Sequence, residues 1–408
     1  MPTTTPASPN PYTRQPARAF WRTAVAEPEP ADITALWTPK FTIGPDDPVI
    51  TAGSCFARHI GRALLDEGMH WYDAEPPPPG LTAAALEDRG YGRFSFRTGN
   101  VYTAAALRQW VAWALDAEQP PQEYWEEDGR FHDPYRPSLE PDGFATPEAL
   151  AASRAVTLAA LRRALLKADV LVFTLGLTEA WHDTVTGTVL PMCPGTVRGT
   201  FDPARHVLRN HTVAQVHQDL TDTLALAHTV NPALRTILTV SPVPLTATAT
   251  DRHVLVATTH SKSVLRAAAG QLADESPDVD YFPSYEIVTG HPYRAAFYAP
   301  NLRTVTPDGV AFVMRHFFTA LGVGDPTAPD RPTAPPAGPG HHPAPASGPI
   351  PAPVSGGEDP WCDDAVLDYY RPDSDSDSDS DSDGDDGDGD GDRGRGRGSV
   401  SGEVPPAG

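Results

Sequence analysis

Apolar residues follow two rhythms along residues 47–322. Short unbroken apolar runs suit buried strands, and longer stretches with apolar residues every three or four positions suit helices that turn one face to a core. Val49-Ile50-Thr51-Ala52 is the first strand of this kind; it stops at Gly53-Ser54, and Phe56, Ile60, Ala63 and Leu64 then recur at helical spacing. Tyr102 to Leu115 carries Leu107, Trp110, Val111 and Leu115 on one side, and Pro147 to Lys167 opens with a proline suited to a first helical turn. Val170 to Phe173 reads as a central strand. Thr212 to Val230, Asp251 to Leu272 and Pro307 to Leu321 predict helices, with strands at Thr236 to Val240 and Val279 to Phe282. This alternation implies an α/β fold, a three-layer α/β/α sandwich on a mostly parallel sheet, with sites at the carboxyl ends of the strands.

Two segments break the alternation. Glu118 to Thr146 is rich in Pro, Asp and Glu but holds Tyr124, Trp125, Phe131 and Tyr135, and reads as an ordered surface loop or a lid. Pro76 to Pro79 reads as a rigid extended spacer. Composition then divides the chain into an extension (1–46), the α/β domain (47–322) and a Pro-rich, acidic tail (323–408). Of the net charge of −22, the tail carries −14, from 19 acidic against 5 basic residues, so it lacks the apolar surface needed to offset the entropy of ordering. Its aromatic island, Trp361 to Tyr370, is the one part suited to docking on a protein partner. The acidity argues against nucleic acid, whose phosphates are held mainly by clustered Lys and Arg. No run is long and apolar enough for a membrane span, and polar Met1 to Arg22 lacks the core of a secretory signal. The expectation is a soluble cytoplasmic protein without a cofactor. Cys55, Cys193 and Cys362 are too few and scattered for a disulfide framework or a zinc site.

A set of ordered segments then narrows the reading. Ile50-Thr51-Ala52-Gly53-Ser54-Cys55-Phe56-Ala57 resembles the signature of the GSCFA family. Further resemblance lies in Phe96 to Thr103, Phe173 to Trp181, Cys193-Pro194-Gly195, Ser241 to Leu245, Ser261-Lys262-Ser263 and Tyr281 to Glu286. That family is grouped with the SGNH, or GDSL-like, hydrolases, which implies a flavodoxin-like sandwich and cleavage of ester or acyl substituents. The resemblance implies Ser54 as nucleophile, with the Ser54 N–H, the Gly99 N–H and Thr178 in an oxyanion hole, threonine standing where such enzymes carry asparagine. Their closing Asp-x-x-His falls here on Asn301-Leu302-Arg303-Thr304, so both positions of that pair are substituted. Without a base a serine hydroxyl is a weak nucleophile.

His291, His182 and His260 are the candidates for a substitute base. The expected function is a serine hydrolase or acyltransferase acting on a small-molecule or glycan ester, and the alternative is a non-catalytic binding protein on the same scaffold. Other signals are weaker. Cys55 adjoins a helix start, which favours a thiolate, but lies one residue further into the turn and is expected to face the core. Arg136 reads as an exposed loop arginine that an anionic substrate would meet. His206, His211 and His217 are too irregularly spaced for a metal site.

Overall fold

The computed structural model describes residues 10–323. The tail readings, the Trp361 to Tyr370 island among them, lie outside the described residues. The central sheet consists of β1 (Val49–Gly53), β4 (Val170–Leu175), β8 (Arg235–Val240) and β9 (Val279–Phe282), hydrogen-bonded in that order and parallel throughout. Strand parity divides two hydrophobic cores. On β4, Leu171, Phe173 and Leu175 enter one core with α3 (Ala104–Ala114), α4 (Pro147–Lys167), α5 (Val213–Val230) and α6 (Val254–Glu275). Val170 and Val172 enter the other with α1 (Ala57–Asp66), α7 (Ser284–Thr289) and α8 (Pro307–Leu321). The result is the three-layer α/β/α arrangement expected from the alternation, with β4 buried on both faces as its unbroken apolar run requires.

The helix boundaries follow local chemistry. Thr146 caps α4 by accepting from Ala149 N, with Pro147 in the first turn and Lys167 in the last. Thr212 and Gln215 form a capping box at α5, and Thr306 caps α8, which ends at Gly322 in left-handed backbone.

Three features were not legible in the hydrophobic pattern. A short helix, α2 (Ala83–Asp88), follows the proline spacer. The segment expected to be a surface loop or lid holds the hairpin β2 (Trp125–Glu127) and β3 (Arg130–His132) and then turns inward, burying Asp133, Tyr135, Arg136 and Leu139. A second, antiparallel sheet of β6 (Val189–Leu190), β5 (Glu179–Asp183) and β7 (His206–Asn210) sits between β4 and α5 in the chain.

Residues ahead of β1 take part in the fold. Ile33, Trp37 and Ile43 are buried in the α8-side core, and Trp37 stacks on Phe317 (5.4 Å) and meets the edge of Phe282 (5.1 Å). Lys40 secures this strap to the edge strand β9: its N–H donates to Asp280 Oδ2 (2.8 Å) and its ammonium to the carbonyls of Val279 (2.8 Å) and Ala273. Removing the indole leaves a large void between two phenylalanines. Trp37→Ala is therefore expected to lower the unfolding free energy by about 3–5 kcal/mol in urea titration, and a loss under about 1 kcal/mol would show that the strap does not belong to the core.

Candidate functional site

The carboxyl end of the sheet is assembled from backbone contacts between three of the sequence segments. Gly53 closes β1 with φ +136°, and a Cβ there would stand 2.4 Å from Thr174 O and 2.7 Å from Thr174 N, so only glycine fits. The next residue, Ser54, donates its N–H to Thr174 O (3.0 Å). Val101 N donates to Gly53 O (2.8 Å), and Tyr102 O accepts from Gly176 N (2.9 Å) and Leu177 N (3.2 Å). Gly176 is held close: a Cβ on it would approach Ser54 Cβ, Tyr102 Cδ1 and Tyr102 O, each at 3.1 Å. From the far side, Lys262 Nζ donates to Gly176 O (2.6 Å) and Ser261 Oγ accepts from Thr178 N (3.0 Å), which accounts for the buried Ser261-Lys262 pair on α6.

This assembly turns Ser54 inward. The residue is 2 % exposed, and its Oγ is shut off from solvent and makes no hydrogen bond. Its N–H is already spent on Thr174 O and is not available to an oxyanion. In this packing neither the Ser54 hydroxyl nor the Ser54 amide is open to a ligand. Thr178 is likewise fully buried, with Oγ1 donating to Asn210 Oδ1 (2.6 Å) where β5 begins and β7 ends, so it ties the second sheet and borders neither cleft described below. Of the three expected oxyanion donors, Gly99 borders the larger of the two clefts described next.

The open space lies one residue further on. Two small clefts share Cys55 as a common wall. The larger is bounded by Gly99 and Asn100, by Arg58 from α1, by Arg93, and by the inward-turned segment Tyr135 to Leu139. The smaller is bounded by His59 from α1, Val243, Arg303 and Thr304. Cys55 is itself buried, 3 % exposed, and borders both clefts. His59 was missed in the sequence; it lies in the first turn of α1, just after the GSCFA-like segment.

The substituted pair takes a specific form. Asn301 Oδ1 accepts from the Arg303 and Thr304 amides (3.0 Å each), and Asn301 Nδ2 donates to Thr304 Oγ1 (2.9 Å). Thus the two positions remain hydrogen-bonded to each other, and Thr304 faces the cleft of Cys55, not Ser54.

Behind the larger cleft lies a buried ionic network. Arg136 is not an exposed loop residue but 2 % exposed, with Nε on Asp133 Oδ2 (2.9 Å) and Nη1 on Thr157 Oγ1 (2.9 Å). Arg154 Nη2 donates to Asp133 Oδ1 (2.8 Å), and Thr157 Oγ1 donates onward to Glu75 Oε1 (3.0 Å). Burial alone would raise the Asp133 carboxyl, yet the two guanidiniums hold it below the usual carboxylate range.

A model of the GSCFA family matches residues 48–317. The chain belongs to the GSCFA family. No curated protein matches it. The GSCFA signature is thus the strand end and helix start that carry Gly53, Ser54 and Cys55, and the match extends through the Asn301–Thr304 turn into α8.

None of the three expected substitute bases borders either cleft. His291 stacks on Trp21 (5.3 Å between ring centroids), and His260 lies on the exposed face of α6. His182, on β5, has Nε2 3.1 Å from His211 Nε2. Among the described residues no three His, Cys, Asp or Glu side chains gather as a metal ligand set, and no helix is long and apolar enough to cross a membrane.

Burial, and secondarily the positive charge of a protonated His211, pushes His182 down to about 4 from 6.5. The folded chain therefore takes up this proton later than the unfolded chain as pH falls. The stability held by neutral His182 is complete above about 6.5 and declines between there and about 4. Urea unfolding at about pH 7.5 and about pH 5 is expected to show a smaller difference in His182→Gln than in the wild type. Equal differences would mean that this pair does not set the acid sensitivity.

Proposed function

We propose that this GSCFA protein binds a small anionic, acyl-bearing molecule in the twin clefts at Cys55, and that Ser54 does not act as a nucleophile. The observation that carries the reading is the charge of the walls. In a chain of net charge −22, the residues bounding the two clefts include Arg58, Arg93, Arg136, Arg303 and His59, and no Asp or Glu. Cationic side chains around a concave site favour ligands of the opposite sign. Asn100, Ser138 and Thr98 add neutral hydrogen-bonding groups to the larger cleft, and Gly99 leaves room for close approach.

Hydrolysis through Ser54 would need a hydroxyl that substrate can reach, a base on it and a free oxyanion donor. The buried Oγ makes no hydrogen bond, the Ser54 N–H is taken by Thr174, and Asn301 and Thr304 stand at the acid–base positions. A threonine hydroxyl does not accept a proton at neutral pH, so the binding reading stands ahead of serine hydrolase or acyltransferase chemistry.

Ser54→Ala separates the two. A buried hydroxyl with no partner costs about 1–3 kcal/mol, so its removal is expected to leave the melting temperature unchanged or raised. It should also leave any turnover of p-nitrophenyl acetate unchanged, and a fluorophosphonate probe should not label Ser54. Malonate at constant ionic strength should raise the melting temperature of wild type and Ser54→Ala alike, relative to chloride. Labelling at Ser54, or ester turnover lost only in Ser54→Ala, would restore the serine reading; no malonate-specific stabilisation would remove the anion-binding one.

A further inference from the structure

The extension ahead of β1 presents a surface that the described residues leave uncovered. Residues 10–22 are exposed throughout, Tyr12, Phe20 and Trp21 among them, although large aromatic side chains gain most by leaving water. Trp21 stacks on His291 (5.3 Å) and still remains 61 % exposed. The same segment carries Arg14, Arg18 and Arg22 and no acidic residue. Arg22 is taken by Glu27, whereas Arg14 and Arg18 meet no carboxylate among the described residues. In a chain of net charge −22, a patch both basic and aromatic calls for an acidic, aromatic partner. The chain carries one itself. Between Arg331 and Arg371 there is no Lys or Arg, and Glu358 to Tyr370 sets Glu358, Asp359, Asp363, Asp364 and Asp368 among Trp361, Tyr369 and Tyr370. The tail also starts in the same layer as the patch. Val323, just past α8, packs against the α8-side core, and so does Val25 of the extension; His291 belongs to a turn whose Tyr293 meets Phe312 of α8 (5.5 Å). Residues 324–360 join Val323 to the island. A coil of that length spans roughly 35 Å, against a radius of gyration of roughly 20 Å for a domain of this size.

We propose that Glu358 to Tyr370 docks on the extension of its own chain, with its carboxylates on Arg14 and Arg18 and its rings against Tyr12, Phe20 and Trp21. Exposed ion pairs contribute little one at a time, so the rings supply the contact area while the charges set which segment is taken. The tether does the rest. Two segments joined in this way meet at an effective concentration of about 1 mM, so a contact with an intrinsic dissociation constant of only about 0.1 mM is closed about nine-tenths of the time. The proposal is independent of the clefts at Cys55 and of what they bind.

Limited trypsin digestion of the full chain tests the proposal. Arg331 and Arg371 each precede proline, where trypsin does not cut, so the island stays joined to the domain while the bond after Arg18 is exposed to the protease. Asp363→Asn/Asp364→Asn/Asp368→Asn and, separately, Trp361→Ala/Tyr369→Ala should each hasten cleavage after Arg18 about tenfold, the factor by which a contact of that closure shields the bond. Both variants change the tail alone. Proximity is read by a second experiment: Ala17→Cys in a Cys193→Ser background should form a disulfide with Cys362 inside one chain under mild oxidation, located by peptide mass spectrometry and lost in Cys362→Ser. Cleavage after Arg18 at the same rate in wild type and both variants would overturn the proposal, and so would the absence of that disulfide. A disulfide that joins two chains would make the occupant a second copy, and shielding of Arg18 that appears only with phosphatidylserine vesicles would make it an anionic lipid surface; either result would equally overturn docking within the chain.

Discussion

The contact between the ends of β1 and β4 governs this site. At Gly53 the chain passes so close to Thr174 that no side chain is admitted, and the Ser54 amide is committed to Thr174 O in the same step. Gly176 then closes over Ser54 from the neighbouring strand end. With Ser54 pressed into the sheet, the turn into α1 delivers the following residue, Cys55, to the place where the strand-end loops separate. The glycines, the parallel register of Val49 to Gly53 on Val170 to Thr174 and the inward turn of Ser54 belong to one close packing.

The clefts depend on what stands behind them. The larger would lose its wall if the segment from Asp133 to Leu139 left the domain, and that segment is held by an aspartate between two arginines, shut away from water. Breaking such a pair leaves an uncompensated charge in a low-dielectric interior, which makes the wall rigid. Arg136 thereby spends its charge and most of its hydrogen-bonding capacity on the scaffold. Around the smaller cleft the Asn301–Thr304 turn keeps its place and its internal hydrogen bond although its groups no longer suit proton transfer. The geometry at this position is retained while its chemistry has changed.

Much of the architecture was legible in the sequence. The helix over Pro147 to Lys167 and the strands at Val170, Thr236 and Val279 carry long or unbroken apolar patterns bounded by caps and prolines, and these resolve without tertiary information. The antiparallel sheet at Glu179 to Asn210 escaped because its strands are short and half polar, as befits strands buried on one face only. The candidate site was legible only as a neighbourhood. That Ser54, Gly99, Thr178 and the Asn301–Thr304 turn lie near one another was implied by the family resemblance, but the burial of Ser54 follows from the close packing of Gly53, at positive φ, on Thr174. Arg136 looked exposed because its neighbours are polar; Asp133 lies only three residues away, but Thr157 comes from α4, and sequence spacing does not show that they meet.

A crystal structure of the protein with malonate bound tests this account most directly. The carboxylates should lie in the clefts beside Cys55, within hydrogen-bond reach of the arginines or of Asn100, with Ser54 Oγ still enclosed. A carboxylate oxygen hydrogen-bonded to Ser54 Oγ, with the contact between Gly176 and Ser54 opened to admit it, would contradict the account.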